Sequence, residues 1–261
     1  MVTHFTRERI TGDAKKYLNS FVAIAAVCAL TLSFTDADAS GRRGGAANQA
    51  AQQQQVEVAA PVIVVHNPAE AVSDWNVALQ FLKDGNKRFV EDQTMPRNTN
   101  AADRNVLKDG QKPFAVVITC ADSRVAPEIY FDQKLGDIFV IRNAGNIASP
   151  SALGSIEYAV EHLRSPLVVV VGHSRCGAVT GAFSGEEEGH AHPENLQIVL
   201  NAIRPAIANS ETVDDGIRAN VGHVVGLIRE NSVVEHVGAK VIGAYYNIET
   251  GEVLFDAIGE R

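Results

Sequence analysis

Residues 114–119 (Phe-Ala-Val-Val-Ile-Thr) and 167–171 (Leu-Val-Val-Val-Val) are apolar almost throughout, with no alternation of apolar and polar side chains. A strand exposed on one face alternates; a run apolar at successive positions fits a strand covered on both faces, as inside a parallel sheet. Residues 138–141 make a second run of the same kind, between these two. Parallel neighbours need long crossovers, so whatever joins the runs has to be mostly helical.

The intervening segments fit that demand. Asn67-Pro68-Ala69-Glu70 reads as a helix start, with Asn as the N-cap, Pro in the first turn and Glu at the third helical position. Ala71, Trp75, Ala78, Leu79, Leu82 and Phe89 continue at helical spacing to about Asp92, interrupted by Gly85. Residues 95–104 are polar and read as a loop, residues 152–163 as a helix, and 176–183 as a short one. An acidic, histidine-bearing loop covers 186–193, and two helices are expected near 194–209 and 215–231. Strands at 240–247 and 252–255, joined by a turn at Thr250-Gly251, close the pattern. The fold class is therefore α/β: one domain over residues 61–261, a mainly parallel β-sheet flanked by helices on both sides.

The first 39 residues read as a signal peptide. Arg7, Arg9, Lys15 and Lys16 form a basic leader, residues 20–34 are uncharged and mostly apolar, and Ala37-Asp38-Ala39 offers small residues where a signal peptidase reads. A run of that length is too short for a comfortable membrane span, so an N-terminal anchor is the weaker reading. Ala25-Ala26-Val27 ahead of Cys28 makes a poor lipoprotein signal. The expectation is cleavage near Ala39, a periplasmic or secreted protein, and no stable membrane insertion of the mature form. Residues 40–60, rich in Gly, Ala and Gln, read as a flexible low-complexity linker, and structure is expected to begin with the apolar stretch 61–65. A formal charge of -8 argues against a nucleic-acid partner.

Export leaves two cysteines, Cys120 and Cys176, and in an oxidising compartment their first reading is a disulfide. Their surroundings point elsewhere. The first apolar run ends in Cys120-Ala-Asp-Ser-Arg124 and the third in Gly172-His-Ser-Arg-Cys-Gly177. In open α/β sheets ligands collect at the carboxyl ends of the strands, so if these strands are parallel neighbours, Cys120, His173 and Cys176 converge at one edge. Cys, His and Cys are ligands zinc prefers, and three of them leave a position open, as in catalytic zinc sites. A helix beginning near Cys176 favours its thiolate. Asp122 and Arg124, just past a ligand, can form a charge-assisted pair that keeps Asp122 ionised and aimed at a metal-held hydroxide. A disulfide leaves His173, Asp122 and Arg124 without a role, and a redox pair lacks the usual Cys-x-x-Cys spacing.

Cys120-Ala-Asp-Ser-Arg-Val125 and Gly172-His-Ser-Arg-Cys-Gly177 resemble the two signature segments of the β-class carbonic anhydrases. The resemblance extends to Ala78-Leu79, Gly85-Asn-Lys-Arg-Phe89, Gly136-Asp-Ile-Phe-Val-Ile-Arg-Asn-Ala-Gly-Asn146 and Gly243-Ala-Tyr-Tyr246, covering most of residues 68–256. It implies a β-carbonic-anhydrase-like fold with an N-terminal helical arm, and an assembly as a homodimer or dimer of dimers. It implies one Zn2+ per subunit on Cys120, His173 and Cys176, an Asp122–Arg124 dyad, and reversible hydration of CO2 to bicarbonate and a proton by zinc-hydroxide attack. It also implies a substrate pocket with the backbone N–H of Gly177 and with Gln111, Phe139 and Tyr158, part of it supplied by the partner subunit. Asp122 is chemically able to close onto zinc as a fourth ligand, as in an allosteric bacterial subgroup.

Two departures from the family pattern bear on that site. Ala144 stands where plant-like members carry Val, implying a slightly roomier pocket. Val117 stands where the allosteric subgroup carries Trp, which puts bicarbonate regulation in doubt. His190 and His192 read as solvated loop residues, and His223 and His236 as surface or satisfied core positions. Two other functions compete with CO2 hydration: hydrolysis of a CO2 analogue such as carbonyl sulfide or carbon disulfide on the same site, and a non-catalytic binding protein stabilised by zinc or a disulfide.

Overall fold

In the computed structural model the strands run in the order β2-β1-β3-β4-β5. The structure describes residues 66–96, 99–184, 192–255 and 258; the expected leader, linker and 61–65 stretch, with Cys28 and His190, lie outside them. β1 (Ala115–Cys120), β2 (Ile138–Asn143), β3 (Leu167–His173) and β4 (Lys240–Tyr246) are parallel, and β5 (Val253–Leu254) pairs antiparallel with β4. β1 and β3 are adjacent and buried at every position, as their unbroken apolar character requires.

Side-chain alternation splits the core into two layers. Val117, Val169 and Val171 face one side with Leu82, Tyr130 and Phe131. Val116, Ile118, Val168 and Val170 face the other with Ile156, Val224 and Ile228. The first layer is covered by α1 (Trp75–Val90) and α3 (Pro127–Tyr130), the second by α4 (Pro150–Glu161), α7 (Val213–Arg229) and α8 (Ser232–Val237). A third cluster gathers at the carboxyl end of the sheet, where Cys120, Cys176 and Tyr245 pack with residues of α5 (Gly177–Ser184), α6 (Glu194–Ile207) and α7. Among the described residues no helix is long and apolar enough to cross a membrane.

The structure departs from the sequence reading in four places. β2 is an edge strand and only half-buried, so its apolar run serves one covered face rather than two. Asn67 caps a single turn, accepting from the Ala69 N–H through its side chain and from the Glu70 N–H through its carbonyl, but the helix starts at Trp75 behind Asp74. The 95–104 loop contains the N-terminus of α2 (Ala101–Leu107), marked by a capping box between Asn100 and Asp103. Gly85 does not interrupt α1: a Cβ there would lie 1.7 Å from the Phe131 carbonyl oxygen, so the glycine lets α1 approach the chain after α3.

Next to it, Asn86 ties three segments together. Its Nδ2 donates to the carbonyls of Tyr130 and Gly251, and its Oδ1 accepts from the Val253 N–H. Gly251, at φ 78°, makes the β4–β5 turn in a conformation other residues rarely adopt.

A candidate metal centre at the carboxyl edge of the sheet

Cys120 is the last residue of β1 and His173 the last of β3, so parallel pairing of these strands brings them to the same edge. β3 runs through Gly172, where a Cβ would lie 2.6 Å from Val221; the missing side chain lets α7 press on the strand just before His173. Cys176 precedes α5, and Arg175 before it takes a left-handed conformation, φ 58°, which turns the chain back toward the strand end. The ligand atoms of Cys120, His173 and Cys176 all lie within 4.8 Å of one another, and the three residues are buried. Both cysteines are free thiols.

The tautomer of His173 suits a ligand. Its Nδ1 lies 2.9 Å from the Ser174 carbonyl oxygen, which can only accept, so Nδ1 carries the hydrogen. That leaves Nε2 with its lone pair, and Nε2 is buried with no hydrogen-bond partner. A buried, orphaned nitrogen is costly unless something binds it.

The thiols form a proton-sharing pair. Cys120 is pushed well below the ordinary thiol range, chiefly by a hydrogen bond from Cys176 and, against the opposing effect of burial, by the N–H groups of Gly145 and Asp122. Cys176 is pushed far up by donating to Cys120, by burial and by the charge of Cys120. A divalent cation replacing the shared proton would leave two thiolates, each already met by backbone N–H groups: Gly145 and Asp122 at Cys120, Ala178 and Val179 at Cys176. The residues present fit a tetrahedral zinc with three protein ligands.

Asp122 and Arg124 lie beside this cluster. Arg124 Nε donates to Asp122 Oδ1 at 2.9 Å and Nη2 to Oδ2 at 2.7 Å, while the Arg124 backbone N–H also meets Oδ1 at 3.0 Å. The side-chain hydrogen bonds from Arg124 hold the Asp122 carboxyl below the usual carboxylate range. In this arrangement Asp122 is paired with Arg124, and the converging ligand atoms are those of Cys120, His173 and Cys176.

The carbonic anhydrase family model matches residues 115–253, which spans every one of these groups. Carbonic anhydrase 2 of Mycobacterium tuberculosis is 38% identical over 193 residues, covering 70% of this chain and 93% of that protein. A carbonic anhydrase of Mycolicibacterium smegmatis is 38% identical over 186 residues, covering 67% and 90%. Among solved structures, a β-carbonic anhydrase of Aspergillus fumigatus is similar with a TM-score of 0.54 at 26% identity, covering 70% of this chain and 91% of that one. The chain belongs to the β-class carbonic anhydrase family.

As a β-carbonic anhydrase, the chain places its remaining candidate residues in two groups. Gly177 opens α5 directly after Cys176. Gln111, Phe139 and Tyr158 are not brought to the Cys120–His173–Cys176 cluster of their own chain. Gln111 is exposed in the loop before β1, at the amino edge of the sheet, while Cys120 ends that strand. Phe139 pairs in register with Val116, four residues before Cys120, or about 13 Å along the strand. Tyr158 is 48% exposed on α4 and packs its ring 6.3 Å from that of Phe139. His192 and His223 are half-buried and His236 is exposed; none joins the cluster.

This carbonic anhydrase also uses a residue to which the sequence reading gave no role. Arg142, on β2, donates from Nε to the Cys120 carbonyl at 3.1 Å and from Nη2 to the Asp122 carbonyl at 2.6 Å. One guanidinium therefore fixes the backbone carrying both Cys120, a candidate metal ligand, and Asp122. Its neighbour Asn143 closes the next turn, donating to the Ile147 carbonyl and accepting from the Ile147 N–H. The available signal was a charged residue ending an otherwise apolar strand run.

Proposed function

We propose that this protein catalyses the zinc-dependent, reversible hydration of CO2 to bicarbonate and a proton. The observation that carries the reading is the convergence of two thiols and an unpartnered imidazole nitrogen within 4.8 Å beside an ionised carboxylate. Cys120, His173 and Cys176 would hold the ion. Zinc, when bound, supplies a Lewis acid that makes hydroxide available from water near neutral pH. The chain's own groups then have distinct tasks. Asp122 accepts a hydrogen bond from the nucleophile and orients its lone pair toward the carbon of CO2. Arg124 keeps Asp122 ionised and fixed, and the Gly177 N–H offers a donor to the substrate oxygen. Apolar residues of α5, α6 and α7 pack around Cys120 and Cys176, which strengthens electrostatic interactions there by lowering the local dielectric.

The reading includes a homodimer or a dimer of dimers. Gln111, Phe139 and Tyr158 lie away from their own metal ligands, and the exposed ring of Tyr158 suits a place in the pocket of a neighbouring chain. Similarity at 26% identity and TM-score 0.53 to one of two tetrameric β-carbonic anhydrases of Sordaria macrospora supports a multimeric state. It also includes export to the periplasm or medium, supported by the basic leader, the 20–34 run and Ala37-Asp38-Ala39.

The test is stopped-flow CO2 hydration by the mature protein, before and after removal of metal with a chelator. Activity that disappears with the chelator and returns with zinc is the expected result. A zinc-loaded protein without CO2 hydration, but with turnover of carbonyl sulfide or carbon disulfide, would transfer the assignment to those substrates.

A further inference from the structure

The buried face of α7 is apolar except at one position. Ile217, Val221, Val224, Val225 and Ile228 fill it, and among them Asn220 is 1% exposed. An amide in such surroundings is costly unless it is hydrogen-bonded. Asn220 makes one such bond: Nδ2 donates to the Gly145 carbonyl at 2.9 Å, while Oδ1 has no partner among the described residues. The amide's orientation is fixed, because a carbonyl oxygen can only accept.

Gly145 is also the residue whose N–H donates to Cys120 Sγ, at 3.4 Å. It lies in the short 3-10 turn Ala144–Asn146 at φ 69°, in the left-handed region. A Cβ there would meet Ile203 Cδ1 at 2.6 Å and Ala178 Cβ at 3.2 Å. The turn is thus held by two features: a residue without a side chain, and an amide reaching up from α7. Both act on the same residue that touches the metal-ligating sulfur.

We propose that Asn220 is a positioning residue of the metal centre, holding Gly145 so that its N–H stays on the sulfur of Cys120. This rests on the assignment of Cys120 as a zinc ligand. A donor on a ligating thiolate withdraws charge from the sulfur and orients it, and loss of outer partners of this kind costs about 10- to 100-fold in metal affinity. Asn220 thereby links the packing of α7 to the electron density at the ion, without touching ion or substrate.

The test uses the full-length folded protein with cobalt(II) in place of zinc, which reports on the thiolates through their charge-transfer absorption. Asn220→Leu keeps similar volume and removes the donor. The charge-transfer band is expected to move to lower energy, and zinc affinity by chelator competition to fall about tenfold or more. Asn220→Ala gives the same two changes if leucine is not accommodated. Val224→Ala, on the same buried face but without a bond to the turn, lowers stability while leaving band and affinity at wild-type values. Asn220 variants with the wild-type band and affinity overturn the proposal, as does a Val224→Ala protein that shifts equally. A wild-type chain that takes up neither cobalt nor zinc overturns the metal-centre assignment itself, and the positioning role with it.

Discussion

Arg124 grips Asp122 at both carboxylate oxygens, 2.9 Å from Nε to Oδ1 and 2.7 Å from Nη2 to Oδ2, across a single turn. A two-point guanidinium–carboxylate pair fixes direction as well as charge. Asp122→Ala is therefore expected to lower kcat for CO2 hydration by about a hundredfold or more while leaving zinc content unchanged. Arg124→Ala should change kcat in the same direction. Lysine at 124 cannot reproduce the fork and should recover only part of the loss. Full turnover in Asp122→Ala would remove the dyad from the account.

The two thiols give a pH signature in the metal-free protein. Folding lowers the pKa of Cys120, so the pair contributes stability that grows as pH rises from the folded value toward the ordinary thiol range near ~8.5. Folding raises the pKa of Cys176, so above that range the unfolded chain releases a proton the folded one keeps, and stability falls. Urea denaturation of the metal-free protein should show this rise and fall, and the Cys120→Ser, Cys176→Ser double variant should lack it. Thiolate ultraviolet absorbance should report one thiolate per chain at neutral pH. Two protonated thiols under those conditions would contradict the sharing of one proton.

Arg142 holds the carbonyls of Cys120 and Asp122 from the edge strand. Arg142→Met keeps much of the apolar stem and removes both donors. Turnover and zinc affinity are expected to fall about 10- to 100-fold, as for outer-shell partners elsewhere. Arg142→Lys, able to reach one carbonyl, should fall between. Parallel chelator competition and CO2 hydration assays check both quantities.

The packing of α1 can be tested away from the site. Asn86 is 5% exposed and satisfies two carbonyls and one N–H, from the end of α3 and from the β4–β5 turn and β5. Asn86→Ala strands those groups, each at a cost of about 1–3 kcal/mol if no water replaces the amide. A total loss near ~3 kcal/mol in denaturant unfolding is expected, with zinc content retained in the folded fraction.

The residues most legible in the sequence were those whose physical demand is local. The β1 and β3 runs, apolar throughout, had no alternative to full burial; their parallel pairing then brings Cys120 and His173 to one edge. The β2 run looked the same but lies at the sheet's edge, because strand order depends on which runs find neighbours, and a run's own composition does not decide that. Gly85 read as a break because helix propensity is a weak prior; the close approach of the Phe131 carbonyl overrides it. Asn67 and Asn100 are both capping residues, but one closes a turn and the other a helix, and the residues downstream of each make that choice. In the site, spacing pointed to the three side chains that converge, Cys120, His173 and Cys176, and to the paired Asp122 and Arg124. Arg142 was not legible as a clamp, since its acceptors are backbone carbonyls of a neighbouring segment and have no sequence signature.

Cys120, His173 and Cys176 are the centre of the proposed mechanism, and metal content tests them most directly. Zinc should be measured per chain in the purified protein and in Cys120→Ser, His173→Gln and Cys176→Ser, beside a thiol titration of each. The predicted result is one zinc per chain in the wild type, released by chelator with the appearance of two free thiols, and strongly reduced zinc in all three variants. A wild-type protein with no zinc and with Cys120 joined to Cys176, or zinc retained in full by all three variants, would contradict it.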